Sequence, residues 1–580
     1  MLRLTRNVTL IAGLLFALAA RADIPLFHDL SVRFDVGRGA LQATDRITLP
    51  PQHQGPWQFV LQHGLSPHAE GAALQSEGTV DGRPDLERFL LIPRDGRLQV
   101  TLRYGGMLTA WQGRVREGVG RERPVSAGVI DRQGIYLTGA SGWYPRFGNR
   151  LITYSLTATL PAGWSGINVG VGSGDETQGP EPAHWAMQQP QPGIVLVAGP
   201  YHLYRRDTPW GEARVYLREA APLLAERYLR ATADYLDLYS RLIGPYPYRK
   251  FALVENFWGE TGYGFPGFAL LGPAVIRLPF ILYSSYPHEI LHSWWGNGVY
   301  VNDDGGNWSE GLTAYLADYL LKAEAGEGAA FRRGMLEKYA EYVSANRDFP
   351  LRDFGERHGE ASQAVGYGKG LMFFHMLRLR LGDRTFVAGL RRFYREFRFR
   401  RAGFDDLRRA MEGVSGEDLK GFFAQWVGRT GAPVLRLDDV RVSQDDGGYR
   451  LRAELSQTQL GAPYQLQVPV AVALQGRQTP YEARLPMTGR DLKIDLQLPA
   501  LPLRLAIDPR FDLFRRLAPR ELPVTLDRLF SAGRLLVVLP RQAPAPLRDA
   551  YDALARRWAT DGGVETAWDD TLKQLPPGRP

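Results

Sequence analysis

Apolar and polar side chains alternate from residue 23 to about residue 204, the period of half-buried strands. Leu30, Val32, Phe34 and Val36 alternate with Ser31, Arg33 and Asp35, and Leu98, Val100, Leu102 and Tyr104 with Gln99, Thr101 and Arg103. Gly, Pro and Asp punctuate these runs, as turns require. From Glu212 to Trp426 the period lengthens to that of helices. Leu223–Leu242 is amphipathic, and Leu312, Tyr315, Leu316, Tyr319 and Leu320 recur at helical spacing. The short apolar run Phe251–Val254 predicts one buried strand within this region. Alternation returns between Val434 and about Ile507 (Val440–Val442, Tyr449–Leu455, Leu466–Leu474), predicting a small β-sandwich. Beyond Phe514, Arg534–Pro540 predicts a strand, Pro546–Trp558 a helix and Val564–Trp568 a second strand. A single β-α-β unit cannot bury both of its faces alone. The pattern predicts a multidomain α+β chain, with regions 23–205, 206–431 and 432–512 and a partial α/β segment at 513–580.

Length and composition sharpen this picture only in places. A chain of 580 residues exceeds one core, and 44% hydrophobic with 23% charged residues is a soluble globular composition. Met1–Ala22 places Arg3 and Arg6 before the apolar run Val8–Ala20 and ends in Ala20-Arg21-Ala22, the pattern of a secretory signal. That run is short for a membrane span, so export to the periplasm or medium is expected, with no stable span after signal removal. Losing Arg3, Arg6 and Arg21 takes the formal net charge from +8 to +5, a mild excess. The absence of cysteine excludes disulfides, thiolate ligands and a thiol nucleophile. In the basic stretch Arg391–Arg401, Phe393, Tyr394 and Phe397 fall at helical spacing. That predicts a core stripe beneath a solvated arginine face, not a nucleic-acid surface.

The chemistry concentrates at His288-Glu289-Ile290-Leu291-His292 and at Asn307-Trp308-Ser309-Glu310-Gly311. Pro287 near a first helical position predicts a helix through Trp294 and Trp295, ending at Gly296-Asn297-Gly298. On that helix His288 and His292 share a face and can grip one zinc ion. Glu289 then stands beside the metal, placed to take a proton from water. After a turn at Asp303–Gly306, Ser309 is expected to cap a helix Glu310–Leu321. Glu310 offers a third ligand and completes a two-His, one-Glu set with an open fourth position. Asn307-Trp308-Ser309 also fits a glycosylation acceptor, a poor reading for residues at a metal.

These segments resemble the gluzincin aminopeptidases, the membrane alanyl aminopeptidase family. The resemblance lies in His288–Asn297 and Trp308–Tyr315. It continues in Val365-Gly366-Tyr367-Gly368-Lys369-Gly370 and in Phe422–Trp426 with Gly431–Val434, and the order of segments holds from about residue 30 to 510. It implies an N-terminal β-domain (Gly139–Pro145, Tyr154–Pro161), a thermolysin-like, mainly helical peptidase domain, one zinc ion and peptide substrates. It also makes Tyr367 the donor to the oxyanion, just ahead of a helix Gly370–Leu381. The gap between His292 and Glu310 is seventeen residues, one fewer than is usual in the family. A second departure concerns the family's Gly-x-Met-Glu-Asn segment, whose glutamate holds the substrate's amino group. The equivalent place here is Gly262-Tyr263-Gly264-Phe265-Pro266, which has no carboxylate. A glycine-rich strand edge still pairs with an extended peptide, which makes Gly262, Tyr263 and Gly264 expected substrate contacts. Glu255 and Glu260 are the candidates to replace the missing acid. Three functions stay open: an aminopeptidase on short peptides, a zinc endopeptidase or other small-substrate hydrolase indifferent to the N-terminus, and a non-catalytic zinc-bearing binding protein.

Overall fold

The computed structural model describes residues 24–51, 55–108, 112–117, 121–126, 128–177, 181–257, 262–302, 305–344, 346–445, 447–523, 535–558 and 564–572. The signal-like Met1–Ala22, the turn residues Asp303 and Asp304, and the candidate Glu260 lie outside them. Two compact units form: Met1–Tyr300 with Arg391–Ala402, and Val301–Leu390 with Gly403–Pro580.

In the first unit the alternating segments build mainly antiparallel sheets, as their period predicts. Leu26–Asp35 pairs in parallel with Ile152–Thr159 and antiparallel with Ala40–Thr48, sending Leu26, Leu30 and Val32 into the core. Strand structure runs further than the alternation suggests, because Gly211–Leu217 joins a five-stranded sheet. Its spatial order is His202–Thr208, Gly211–Leu217, Lys250–Glu255, Phe268–Leu271 and Tyr263–Phe265. Lys250–Glu255 is central and buried along its whole length, which explains its unbroken apolar run. The helix Pro222–Leu242 starts at a proline and connects the parallel strands Gly211–Leu217 and Lys250–Glu255. Two of its tyrosines reach across to a later stretch of chain: Tyr228 Oη donates to the Ile276 carbonyl and Tyr235 Oη to that of Leu282, each at 2.8 Å. These bonds anchor the segment that leads into the histidine helix. Phe393 and Tyr394 of the basic stretch are buried, and Arg391 spends its guanidinium on the Arg241 and Leu242 carbonyls.

In the second unit two helices carry a π-helical turn each. One runs Trp308–Thr313, widens over Ala314–Tyr319 and ends with Leu320–Glu324. The other runs Glu360–Gln363, widens over Ala364–Lys369 and continues through Gly370–Leu381. They touch backbone to backbone: a Cβ on Gly311 would lie 2.8 Å from the Gly370 Cα, and one on Gly370 2.9 Å from the Gly311 Cα. The later alternating region forms two three-stranded antiparallel sheets, Leu435–Asp445, Gly448–Gln457, Asp491–Leu498 and Tyr481–Met487, Leu466–Leu474, Pro502–Ile507. Leu535–Leu539 and Val564–Trp568 then pair in parallel around the helix Ala545–Trp558, the predicted β-α-β unit.

Candidate active site

The histidine helix is shorter than its sequence suggests, Ser285–Leu291, with His292 as its cap in helical conformation (φ −57°, ψ −19°). Trp294 and Trp295 lie beyond it. The carbonyls that would extend the helix are taken by a returning turn: Asn297 N donates to His292 O at 3.0 Å and Val299 N to Trp294 O at 2.8 Å. Gly298 fits there only as glycine, since a Cβ would approach the Ser293 carbonyl to 2.4 Å. His288 and His292 still share one face, their ring centroids 4.8 Å apart.

His292 Nδ1 lies 2.9 Å from the Trp295 carbonyl. A carbonyl only accepts, so Nδ1 carries the hydrogen and Nε2 presents its lone pair, the tautomer that a metal ligand needs. His288, His292 and Glu310 each offer one ligand atom, and the three atoms lie within 4.8 Å of one another. Two imidazoles and a carboxylate suit zinc, so the donor set fits the ion that the sequence implies.

Glu310 is set by a cap that the sequence misplaced by two residues. Asn307, not Ser309, is the N-cap: its Oδ1 accepts from Ser309 N at 3.2 Å and from Ser309 Oγ at 2.6 Å. Asparagine is among the strongest caps, so Ser309 falls inside the first turn beside Glu310. Tyr367 also moves relative to expectation. It lies inside the second helix, within the π turn Ala364–Lys369, half-buried and edge-on to Phe354 at 6.0 Å. A π turn is a single widened loop that re-aims the residues it holds, and such turns concentrate at functional sites.

The strand Tyr263–Phe265 is the last of its sheet, pairing antiparallel with Phe268–Leu271. It passes directly over Glu289. A Cβ on Gly264 would stand 2.6 Å from Glu289 Oε2, and one on Gly262 3.1 Å from Glu289 Oε1. Tyr263 and Phe265 instead pack on an aromatic and aliphatic cluster that includes Tyr136, Tyr201, Tyr216 and Phe268. The two glycines are therefore what lets bare backbone meet the candidate base. Glu255 is buried, and both of its oxygens are engaged: Oε2 accepts from Arg218 N at 2.8 Å and Oε1 from Arg277 Nη1 at 2.6 Å. Lys369, two residues beyond Tyr367, donates to the Arg429 carbonyl at 2.6 Å, and burial pulls its ammonium down to about 8.

Residues 285–426 match the family described as the Peptidase family M1 domain. Aminopeptidase N of Streptomyces lividans is 23% identical over 325 residues, 49% of this chain and 36% of that protein. Aminopeptidase B of Rattus norvegicus is 25% identical over 407 residues, 65% of this chain and 60% of that protein. For the mitochondrial aminopeptidase 2 of Saccharomyces cerevisiae the match is 26% over 168 residues, 28% of this chain and 17% of the relative. The chain thus spans less than two thirds of each of these relatives. A crystal structure of an M1 zinc metallopeptidase mutant from Deinococcus radiodurans superposes with a TM-score of 0.53 at 19% identity, over 70% of this chain and 94% of that one. That likeness supports the multidomain α+β fold.

Proposed function

We propose, from the match of residues 285–426 to the Peptidase family M1 domain, that the chain is a zinc-dependent peptidase acting as an aminopeptidase on short peptides. The observation that carries this reading is the convergence of His288, His292 and Glu310, with Glu289 lying under the bare strand edge at Gly262 and Gly264. A zinc ion held by the three ligands would supply Lewis acidity, easing deprotonation of water and polarising a carbonyl. Glu289 takes the proton of the attacking water and passes it to the departing amine. Tyr367 donates its hydroxyl hydrogen to the carbonyl oxygen as negative charge grows there. The open edge of Tyr263–Phe265 pairs with the extended substrate backbone, holding the scissile bond in register.

A reading without free N-terminus recognition is kept by one observation, the engagement of both Glu255 oxygens with Arg218 and Arg277. A panel of aminoacyl reporters, each with and without an acetyl block, separates the two. Faster cleavage of the free amines supports the aminopeptidase, and equal rates support the alternative. In the same assay Glu289→Gln keeps one zinc per chain and loses nearly all turnover, whereas His292→Ala loses the metal. A fully active Glu289→Gln protein sinks the assignment of the base, and zinc without turnover on any peptide indicates a binding protein. Export is read from the signal-like Met1–Ala22. Among the described residues no helix is long and apolar enough to cross a membrane.

A further inference from the structure

The second unit holds a buried polar centre that the hydrolytic reading does not use. Asp512 lies on the segment that follows the strand Pro502–Ile507. His375 sits on the helix that carries Tyr367, and Tyr315 on the helix that carries Glu310. His375 Nε2 is 3.0 Å from Asp512 Oδ1, and its Nδ1 is 3.4 Å from Tyr315 Oη. A carboxylate only accepts, so Nε2 carries the hydrogen and Nδ1 is left to accept from the tyrosine hydroxyl. Burial lowers the pKa of His375, which keeps the imidazole in this neutral form. Arg332 Nη2 donates to the same Asp512 oxygen at 2.9 Å and to the Arg510 carbonyl at 2.7 Å, while its Nη1 meets Tyr319 Oη. Asp508 closes the segment by accepting from Asp512 N at 2.7 Å and Arg515 Nε at 3.0 Å.

The two helices meet at Gly311 and Gly370, backbone against backbone. Interlocked side chains normally fix how one helix turns on another, and a glycine crossing lacks them at its centre. The bond through His375 supplies that restraint beyond the crossing, five residues past Glu310 and eight past Tyr367.

We propose that Asp512 and His375 are positioning residues for the hydrolytic site: through Tyr315 they fix the rotation of the Glu310 helix against the Tyr367 helix. The proposal rests on the reading of Glu310 as ligand and Tyr367 as oxyanion donor. It is tested with Tyr315→Phe, His375→Gln, Asp512→Asn and the Tyr315→Phe/Asp512→Asn double variant of the full chain. Zinc content, melting temperature, kcat and KM on an aminoacyl reporter are measured for each. Every single variant is expected to hold one zinc and to keep KM within about twofold, with kcat down by about fivefold to twentyfold from imperfect alignment. The double variant falls no further than the worse single one, because both break the same restraint. Folded, zinc-loaded His375→Gln with kcat within twofold of the parent overturns the proposal, as do losses that multiply in the double variant. Should Asp512→Asn not fold, with Arg332 left facing no charge, His375→Gln and Tyr315→Phe decide alone, since both keep the Arg332–Asp512 pair. A parent chain that binds no zinc or cleaves nothing removes the hydrolytic reading itself, and the proposal with it. An active parent with unaffected variants removes only the positioning role.

Discussion

Gly264→Ala probes the link between the strand edge and the candidate base. The added methyl would begin 2.6 Å from Glu289 Oε2 and 3.5 Å from the His292 Cβ. The second distance is an ordinary contact, while the first is shorter than real Cβ atoms tolerate. The strand is held on one side, where Gly264 is paired with Ala269 in the sheet. The carboxylate, at the end of a flexible side chain, gives more easily and must retreat by roughly 0.8 Å to reach ordinary contact. A misplacement of about 1 Å costs on the order of 10²-fold in rate, so kcat should fall about 10- to 100-fold, or ~1.4–2.7 kcal/mol in activation free energy. Stability should hold within about 1 kcal/mol, since alanine in place of glycine also restricts the unfolded chain. The assay combines kcat and KM on an aminoacyl reporter with zinc content and a thermal melt. Gly262→Ala, starting at 3.1 Å, should show a smaller loss in the same assay. Gly366→Ala is the structural control: its Cβ would fall 2.2 Å from the Phe354 ring, so it should lower the melting temperature first. A Gly264→Ala protein that is folded, zinc-loaded and fully active would falsify the placement of Glu289 as base, and one that loses zinc would show the wrong group moving.

Two further substitutions test the site. Tyr367→Phe should retain zinc and the fold while losing about 10²–10³ in kcat, the usual effect of removing one oxyanion donor, and unchanged kcat refutes the role. Lys369→Met tests the buried ammonium. Its folded pKa of about 8 lies below the ordinary 10.5, so through that window the unfolded chain binds a proton the folded chain has shed, and stability rises with pH. Between about pH 7 and 9.5 this contributes ~2 kcal/mol that the variant lacks. Urea melts at both pH values should show the parent gaining on Lys369→Met; a constant difference rules the shift out.

The sequence was most readable where one period dominates. Alternation located Leu26–Asp35 and Gln99–Met107, helical spacing located Pro222–Leu242, and an unbroken apolar run located the central strand Lys250–Glu255. It was least readable at element ends, where specific hydrogen bonds outcompete periodicity. The Asn307 side chain took the cap from Ser309, and the turn through Asn297 and Val299 cut the histidine helix at Leu291. The π turns leave no mark in the hydrophobic pattern, which is why Tyr367 was expected ahead of its helix and lies inside it. The spacing of His288, His292 and Glu310 was visible in the chain, whereas the Trp295 carbonyl that orients His292 comes from backbone that only folding delivers. Gly311, Gly366 and Gly370 could have been noticed as glycines lying inside helical pattern, where that residue is costly and implies close approach. Nothing local announced that Asp512 would meet His375 across 137 residues.

Because each widened turn accommodates one residue more than a regular helix would, chain length in these two helices is tied to direction. Deleting a single residue within 364–369 would let the ladder close regularly, leaving the helix on either side facing as before while Tyr367 loses the direction that the bulge gives it. Insertions and deletions should accordingly accumulate in the surface loops of this chain and be absent from its two bulged helices.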